Sequence, residues 1–134
     1  MSEQQLYEIL YTSELEPGVP VSAIAHIVRL ARARNAKEGI TSVLVFDGAR
    51  FCHYIEGPPD AVHALALRIA EDGRHTEFRR LHAATRVGPR RLPDHPMSYG
   101  LALNEADVDA VVSLAGVAAA DMVIDILPRL ELEP

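Results

Sequence analysis

The sequence predicts an α+β fold in which two helices cover one face of a β-sheet. Strand-like and helix-like segments alternate along the first hundred residues, an Asp47-Gly48 pair marks a tight hairpin, and Pro17-Gly18 marks a turn. The chain has 134 residues, 49% of them hydrophobic and 24% charged. This length and balance are typical of one globular domain with a substantial core.

The first half of the chain is predicted to run strand, helix, strand, strand. Residues 6–13 carry β-type residues, and from Val21 to about Arg34 apolar residues recur at helical spacing. The apolar run after Gly39 predicts a second strand that is covered on both faces. The Asp-Gly hairpin joins this run to a third strand at residues 50–57 as an antiparallel pair.

The second half of the core repeats the pattern. Pro58-Pro59-Asp60 opens a second helix, residues 76–87 predict a fourth strand, the proline-rich residues 88–96 a loop, and residues 97–103 a short fifth strand. The resulting order is βαββαββ. It predicts a ferredoxin-like sandwich: a five-stranded mixed sheet with two helices on one face and C-terminal helices.

The other face of this sheet needs cover, and the C-terminal residues are candidates for it. Asn104 with Asp107 predicts the start of a helix that runs to about Ala115, and Val117–Leu127 predicts another. The second helix is too apolar to stay exposed, so it packs on the sheet or forms an interface. We therefore divide the chain into a core domain, residues 1–103, and a helical extension, residues 104–134.

Composition excludes several classes of function. The net charge of −6 and the pI near 5.4 argue against non-specific binding to nucleic acid or to an anionic membrane. Cys52 is the only cysteine, so a disulfide scaffold is excluded, and the sequence shows neither a signal peptide nor an uncharged transmembrane segment. A cytoplasmic protein is the simplest interpretation. Five arginines are predicted to form a solvated strand edge and loop: residues 79, 80, 86, 90 and 91.

A histidine in the middle of the third strand is the first candidate functional residue. Because strand side chains alternate, His53 shares one face with Phe51 and Ile55, while Cys52 and Tyr54 point to the other. Cys52 and His53 therefore cannot act together as a nucleophile and base. Taken alone, His53 is most often a core histidine with one hydrogen-bond partner. The six histidines are scattered, and no spacing indicates a metal site or an enzyme motif.

Two further polar residues occupy conspicuous positions. Tyr11 shares a face of the first strand with Ile9, and Asn35 stands at the predicted end of the first helix. Each has an ordinary structural interpretation, as a core aromatic and as a residue that tolerates a left-handed helix end.

Taken together, these positions match a known pattern, because the sequence resembles the BLUF family of flavin-binding blue-light sensors across about Leu6 to Leu103. The combination Asn-x-x-x-Gly-Ile-Thr, a hairpin, and Glu-Gly-Pro before a helix is quite specific. The matching stretches are LYEILYTS, ARNAKEGITSVLVFDGARF, YIEGP, DGRH and RRLPDHPMSYG.

The resemblance implies that the two helices hold a flavin, commonly FAD, between them. It implies that Tyr11 is the photochemical electron and proton donor, that Asn35 binds the pyrimidine edge of the ring, and that Arg74 reaches a ring carbonyl. His75 would belong to the same pocket wall, and Met97 to the photochemical group. The ring would be sandwiched by apolar residues that include Ile24, Val28 and Ile69.

The chain departs from the family pattern at His53, where the family has a glutamine that bridges tyrosine and flavin. A neutral imidazole also offers one donor and one acceptor, but both are fixed in a rigid ring. Arg34 and His95 are further departures, since the family often has a small polar residue or histidine at the first position and commonly a tryptophan at the second. The photochemical group in this chain would be Tyr11, His53 and Met97.

The sequence therefore predicts a short, stand-alone light sensor that signals through its C-terminal helices to a protein partner or to its own oligomer. Short members of the family tend to form rings, which implies a homo-oligomer. The alternative is a flavin-free interaction module that has lost photochemistry. A small enzyme on the same scaffold has the least support, because no nucleophile or base is identifiable.

Overall fold

The computed structural model describes residues 5–93 and 95–133. Three parts of the chain lie outside the described residues: residues 1–4 of the predicted core, residue 94 of the predicted loop and residue 134 of the predicted extension. The elements follow in this order: β1 Gln5–Leu15, α1 Ser22–Glu38, β2 Thr41–Phe46, β3 Arg50–Gly57, α2 Pro59–Ala70, β4 His75–Val87, β5 Ser98–Leu101, α3 Glu105–Val112, α4 Val117–Ile126 and β6 Glu131–Glu133.

The strands form one mixed sheet in the order β4-β1-β3-β2-β5-β6. The pair β2–β5 is parallel and the other pairs are antiparallel. The ferredoxin-like order predicted from the sequence is confirmed. The sheet described here has six strands instead of the predicted five, because β6 is only three residues long and too short to show an alternating pattern.

The two faces of the sheet are covered by different helices. On one face, Ile24 and Val28 of α1 and Val62 and Leu65 of α2 pack on residues of the central strands. On the other, α3 and α4 pack on a cluster that includes Cys52 and Tyr54. The predicted alternation along β3 is therefore confirmed.

The first helix is longer than the sequence pattern indicated. It continues to Glu38 instead of ending near Arg34, because the chain leaves the helix at Gly39, whose φ of 71° is in the left-handed region. Asn35 consequently lies inside the last turn with a buried side chain. Lys37 is the basic residue of that turn.

The C-terminal helices begin where the sequence indicates. The Asn104 side chain accepts a hydrogen bond from the backbone N–H of Ala106 at 2.9 Å, as expected of a helix cap. Helix α3 ends at Val112, three residues before the expected end. In the part of the chain that the structure describes, none of the helices is both long enough and apolar enough to cross a membrane.

Candidate functional site

A cavity opens between α1 and α2 above the central strands. The enclosed part of the cavity has a volume of about 110 Å³, and the cavity opens to solvent at its mouth. Most of its lining is apolar. The lining residues are Tyr11, Ser13, Ile24, Ile27, Ala31, Asn35, Leu44, Phe51, His53, Leu65, Ile69, Asp72, Arg74, His75 and Met97.

The cavity floor is a row of cross-strand neighbours. Tyr11 on β1 lies directly opposite His53 on β3, which in turn lies opposite Leu44 on β2. Residues paired in this way point to the same face of a sheet, so the row is set by strand register. The Tyr11 hydroxyl oxygen lies 2.6 Å from His53 Nδ1.

Both members of this pair are neutral. Burial, with a smaller contribution from the charge of His75, lowers the pKa of His53 to about 3. Burial also raises the pKa of Tyr11 well above its usual value. A neutral imidazole carries one N–H and one bare nitrogen, so the direction of the Tyr11–His53 hydrogen bond decides what the other nitrogen presents to the cavity.

Counting unmet hydrogen bonds decides that direction. If Tyr11 donates to Nδ1, only the Nε2–H of His53 has no partner within the described residues. If His53 Nδ1–H donates to Tyr11 instead, the bare Nε2 has no donor and the Tyr11 hydroxyl hydrogen has no acceptor, because Tyr11 forms no second hydrogen bond within the described residues. A buried donor without a partner is costly. We therefore assign the Nε2–H tautomer, which points a donor into the cavity.

The side-chain amide of Asn35 presents a hydrogen-bond acceptor, where His53 presents a donor. Its Nδ2 donates to the carbonyl oxygen of Pro96 at 2.7 Å and to Ser42 Oγ at 3.4 Å, which fixes the orientation of the amide. Its Oδ1 is buried without a partner in the described chain, and so is Ser13 Oγ. Buried polar atoms in folded proteins are nearly always hydrogen-bonded. The cavity thus suits a ligand that offers an acceptor to His53 and a donor to Asn35.

Charged residues occupy one end of the cavity. Arg74 Nη2 lies 2.6 Å from Asp72 Oδ2, and both side chains reach solvent. The hydrogen bond from Arg74 lowers the pKa of Asp72. His75 Nε2 donates to the carbonyl oxygen of Ile69 at 2.5 Å, which ties the start of β4 to the last turn of α2. This end is the polar mouth of an otherwise apolar slot.

All but one of the predicted site residues line this one cavity. The exception is Val28, which is buried in the cluster that contains Ile24, Leu44 and Met97 but does not reach the cavity. Sequence reasoning did not name Ser13 and Phe51 as site residues. They oppose each other in the β1–β3 register and share the Tyr11–His53 face, so strand alternation was the signal that could have found them. The chemical roles of the lining residues stay predictions.

A second polar cluster lies on the opposite face of the sheet. The Tyr54 hydroxyl lies 2.9 Å from Glu8 Oε1 and 3.0 Å from Glu56 Oε1, and His82 Nε2 donates to Glu8 Oε2 at 2.7 Å. Burial raises the pKa of Glu8, but hydrogen bonds from His82 and Tyr54 outweigh this effect and hold the pKa below its usual value. Every carboxylate oxygen of this cluster has a hydrogen-bond partner.

This cluster corrects one prediction about the arginines. Arg91 Nε lies 3.4 Å from Glu8 Oε1 and Arg86 Nε lies 3.7 Å from the same oxygen, and both arginine side chains are mostly buried. The predicted solvated edge is therefore wrong for these two residues, because buried carboxylates on neighbouring strands recruit them. Among the described residues there is no cluster of histidine, cysteine and acidic side chains that could hold a metal ion.

Comparison with known proteins identifies the family and agrees with the fold. Residues 6–98 match the family described as "BLUF: Sensors of blue-light using FAD". This chain belongs to the BLUF family. BLUF proteins are blue-light photoreceptors that bind FAD, and the BLUF domain is a sensor module and not itself an enzyme.

The relatives place this module in different proteins. The chain is 33% identical over 70 residues to the "Blue light- and temperature-regulated antirepressor BluF" of Escherichia coli (strain K12), covering 52% of this chain and 17% of that protein. It is 37% identical over 79 residues to the "Photoactivated adenylate cyclase subunit beta" of Euglena gracilis, covering 59% of this chain and 9% of that protein. The chain thus spans less than a fifth of either relative.

One solved structure resembles the chain over nearly its whole length. The dark-state structure of BlrB, a BLUF protein, superposes with a TM-score of 0.78 and is 30% identical. The match covers 93% of this chain and 95% of that one. The likeness therefore extends past the BLUF match and into the C-terminal helices.

The cavity fits the family's cofactor. A flavin ring has a flat apolar body, for which α1 and α2 provide apolar walls, and a polar edge on which an N–H stands beside ring acceptors. The unpartnered Asn35 Oδ1 and His53 Nε2–H are complementary to such an edge. FAD would supply the chromophore and electron acceptor, and the residues that line the cavity would hold and orient it.

Proposed function

We propose that this chain is a blue-light sensor that holds FAD in the cavity between α1 and α2. The observation that carries the proposal is the pair of oriented, buried and unpartnered polar atoms, Asn35 Oδ1 and His53 Nε2, in a slot with apolar walls. Such a slot with a few convergent polar groups is how proteins usually hold a small organic cofactor.

We propose the following roles for the residues of the cavity. Tyr11 is the residue that gives an electron and a proton on illumination, and its hydroxyl already donates to His53. His53 stands between Tyr11 and the cofactor, in the position of the family's glutamine. Ile24 and Ile69 cover the ring, and Asn35 accepts from its polar edge. Arg74 and His75 lie at the mouth of the cavity. Met97, the residue that precedes β5, contributes its side chain to the cavity lining.

We further propose that the output passes through the C-terminal helices to a protein partner or to the chain's own oligomer. Val117 at the start of α4 is 54% exposed, so an apolar side chain is available to a partner. The names of the relatives, an antirepressor and a cyclase subunit, show that BLUF domains serve different outputs. With a net charge of −6, a protein partner suits this chain better than nucleic acid.

The test is the visible absorption spectrum of the chain purified with excess FAD, recorded in the dark and under blue light. We expect a bound-flavin spectrum that shifts reversibly to the red. Tyr11→Phe keeps the aromatic ring and removes the hydroxyl, so this variant should bind FAD and lose the shift completely. A bound flavin that never shifts in the unaltered chain would contradict a sensor function.

His53 supports a second candidate, a flavin-free interaction module. Its Nδ1 is engaged by Tyr11, and an imidazole cannot exchange donor and acceptor by the simple rotation that an amide allows. This candidate predicts a colourless protein with no measurable FAD affinity in a titration. Its assembly, measured by light scattering, would be unchanged by FAD or light.

A further inference from the structure

Three aromatic rings surround the phenol ring of Tyr11. The ring of Phe78 on β4 stacks on it, with 4.8 Å between the ring centroids and 27° between the ring planes. The rings of His53 and His75 meet it edge-on, at 5.2 Å and 6.2 Å between centroids. Both arrangements are favourable for aromatic pairs. Phe78 is not among the residues that line the cavity, so it contacts Tyr11 from a side that the cavity does not reach.

A bulge in β4 brings Phe78 and His75 to the same face of the sheet. The two residues are three positions apart, and a regular strand would place them on opposite faces. The register of the β1–β4 pair shifts between them, so that Ser13 of β1 stands across from two residues of β4, Glu77 and Phe78. The extra residue reverses the alternation beyond it. Both rings consequently face Tyr11.

Glu77 carries the backbone strain of this bulge. Its φ of 55° is in the left-handed region, and among the described residues it is the one residue other than glycine with a positive φ. A Cβ atom makes this conformation unfavourable, which is why glycine is the usual residue in it. A strained residue persists where the surrounding structure fixes a particular geometry. The geometry that depends on Glu77 is the aromatic surround of Tyr11.

Phe78 also separates Tyr11 from solvent. It lines a second groove, which lies beside the bulge and includes the exposed residues Glu77 and Arg79. Tyr11 does not line this groove and is only 5% exposed. Within the described residues, its hydroxyl has one hydrogen-bond partner, His53 Nδ1. The phenol proton thus has a single acceptor there, and the ring of Phe78 stands between Tyr11 and the water of the groove.

We propose that Phe78 is a positioning residue for Tyr11. Its ring fixes the plane of the phenol and excludes the solvent of the second groove, so that the phenol hydrogen is directed to His53 alone. Glu77 makes this arrangement possible, because its left-handed backbone carries His75 and Phe78 to one face. The stack and the exclusion of water need neither light nor flavin. Their effect on photochemistry rests on the proposed sensor function.

The first experiment is NMR spectroscopy at pH 7 of the chain without added FAD, with isotope-labelled tyrosine and histidine. We expect the Tyr11 ring to flip slowly and the His53 nitrogens to report one tautomer, Nε2–H. Phe78→Leu keeps an apolar side chain and removes the stack, so the ring should flip at least tenfold faster. Water admitted beside Tyr11 can accept the phenol hydrogen, which removes the penalty of the Nδ1–H tautomer. The share of that tautomer should therefore rise at least threefold.

Phe78→Tyr restores an aromatic ring at this position and should recover the slow flip and the single tautomer. A Tyr11 ring that flips no faster in Phe78→Leu, or a His53 tautomer that does not change, would overturn the proposal.

Phe46→Leu is the matched control. Phe46 on β2 stacks on Phe51 with nearly the same geometry, 4.7 Å between centroids and 25° between planes. This pair belongs to a different core cluster from Tyr11. Phe46→Leu should destabilise the fold as Phe78→Leu does, but leave the Tyr11 flip rate and the His53 tautomer unchanged. Equal changes in the two variants would show that Phe78 is merely a buried ring, and would also overturn the proposal.

The bulge has its own test. Glu77→Val places a β-branched side chain where left-handed φ is most unfavourable, so it should reproduce the faster flip and the mixed tautomer of Phe78→Leu. Glu77→Gly relieves the strain and keeps the bulge, so both signals should stay as in the unaltered chain. Signals that are intact in Glu77→Val, or lost in Glu77→Gly, would overturn the role given to Glu77.

Light adds one expected result in the FAD-loaded chain. Phe78→Leu should lower the yield of the red-shifted state at least threefold, because a phenol proton that can pass to water is no longer directed to His53. A full yield would overturn the role of Phe78 in photochemistry. A chain that binds FAD and never shifts would refute the sensor function alone, since the NMR measurements decide the stack and the exclusion of water without light.

Discussion

The two faces of the sheet differ in whether their buried polar groups have hydrogen-bond partners. On the face under α1 and α2, Asn35 Oδ1, His53 Nε2 and Ser13 Oγ are buried without partners and surround a cavity. On the face under α3 and α4, the carboxylates of Glu8 and Glu56 have a hydrogen-bond partner at every oxygen. The one buried atom without a hydrogen bond in this cluster, among the described residues, is Arg86 Nη1, which lies 3.8 Å from Glu56 Oε1 as an ion pair. Unmet hydrogen bonds mark the surface that receives a ligand, whereas satisfied ones mark the surface that holds the fold.

The largest expected effect contrasts one residue from each face. Glu56→Ala leaves three donors without their acceptor, the backbone N–H groups of Arg91 and Leu92 and the Thr41 hydroxyl, so the free energy of unfolding should fall by about 3–5 kcal/mol. Ser13→Ala removes a hydroxyl that has no partner among the described residues, and it should change stability by less than about 1 kcal/mol. Urea denaturation measures both. Equal losses would contradict the distinction between the two faces.

An intermediate effect concerns pH. The pKa of His53 is about 3 in the folded chain and about 6.5 when unfolded. Because the folded pKa is the lower one, the contribution of neutral His53 to the free energy of unfolding is complete above pH 6.5. This contribution is lost as the pH falls toward 3. Linkage gives a loss of roughly 2 kcal/mol between pH 7 and pH 5.

The measurement compares urea denaturation at these two pH values in the unaltered chain and in His53→Gln. The glutamine variant lacks the titrating group, so its stability should fall by roughly 2 kcal/mol less over the same interval. Identical pH dependence in the two proteins would show that His53 is not buried as a neutral group.

The smallest expected effect separates ligand binding from stability. Asn35→Ala removes the acceptor that faces the cavity, so FAD affinity should fall about tenfold, or about 1.4 kcal/mol. Asn104→Ala removes a helix cap on the other side of the molecule, and it should cost about 1 kcal/mol of stability without changing FAD affinity. Quenching of flavin fluorescence measures the affinity. Retained affinity in Asn35→Ala would show that its carbonyl oxygen does not bind the cofactor.

Local patterns predicted the cavity face better than the opposite one. Alternation along β3 and the Asp-Gly hairpin were enough to place His53 in mid-sheet on the face of Phe51 and Ile55. The resemblance then connected it to Tyr11, and the strand register confirms that these two residues are neighbours.

The second polar cluster could not be predicted in the same way. Glu8 meets His82 across 74 positions and Arg91 across 83, and no local pattern encodes such pairs. The available signal was that Glu8 falls between Leu6 and Leu10 on an inward face, where an unpaired charge would be costly. The end of α1 was missed for a simpler reason, since the helix stops only at the left-handed Gly39.

The cross-strand pairing of Tyr11 and His53 has a consequence for kinetics. Tyr11 and His53 form one directly opposed pair of the β1–β3 ladder in the middle of the sheet, so the stiffness of the ladder limits how far the spacing between the two rings can vary. A partner carried on a loop would sample a broad range of separations and give a spread of rates. In the function that we propose, proton transfer from the Tyr11 phenol to the His53 imidazole should therefore follow a single rate constant.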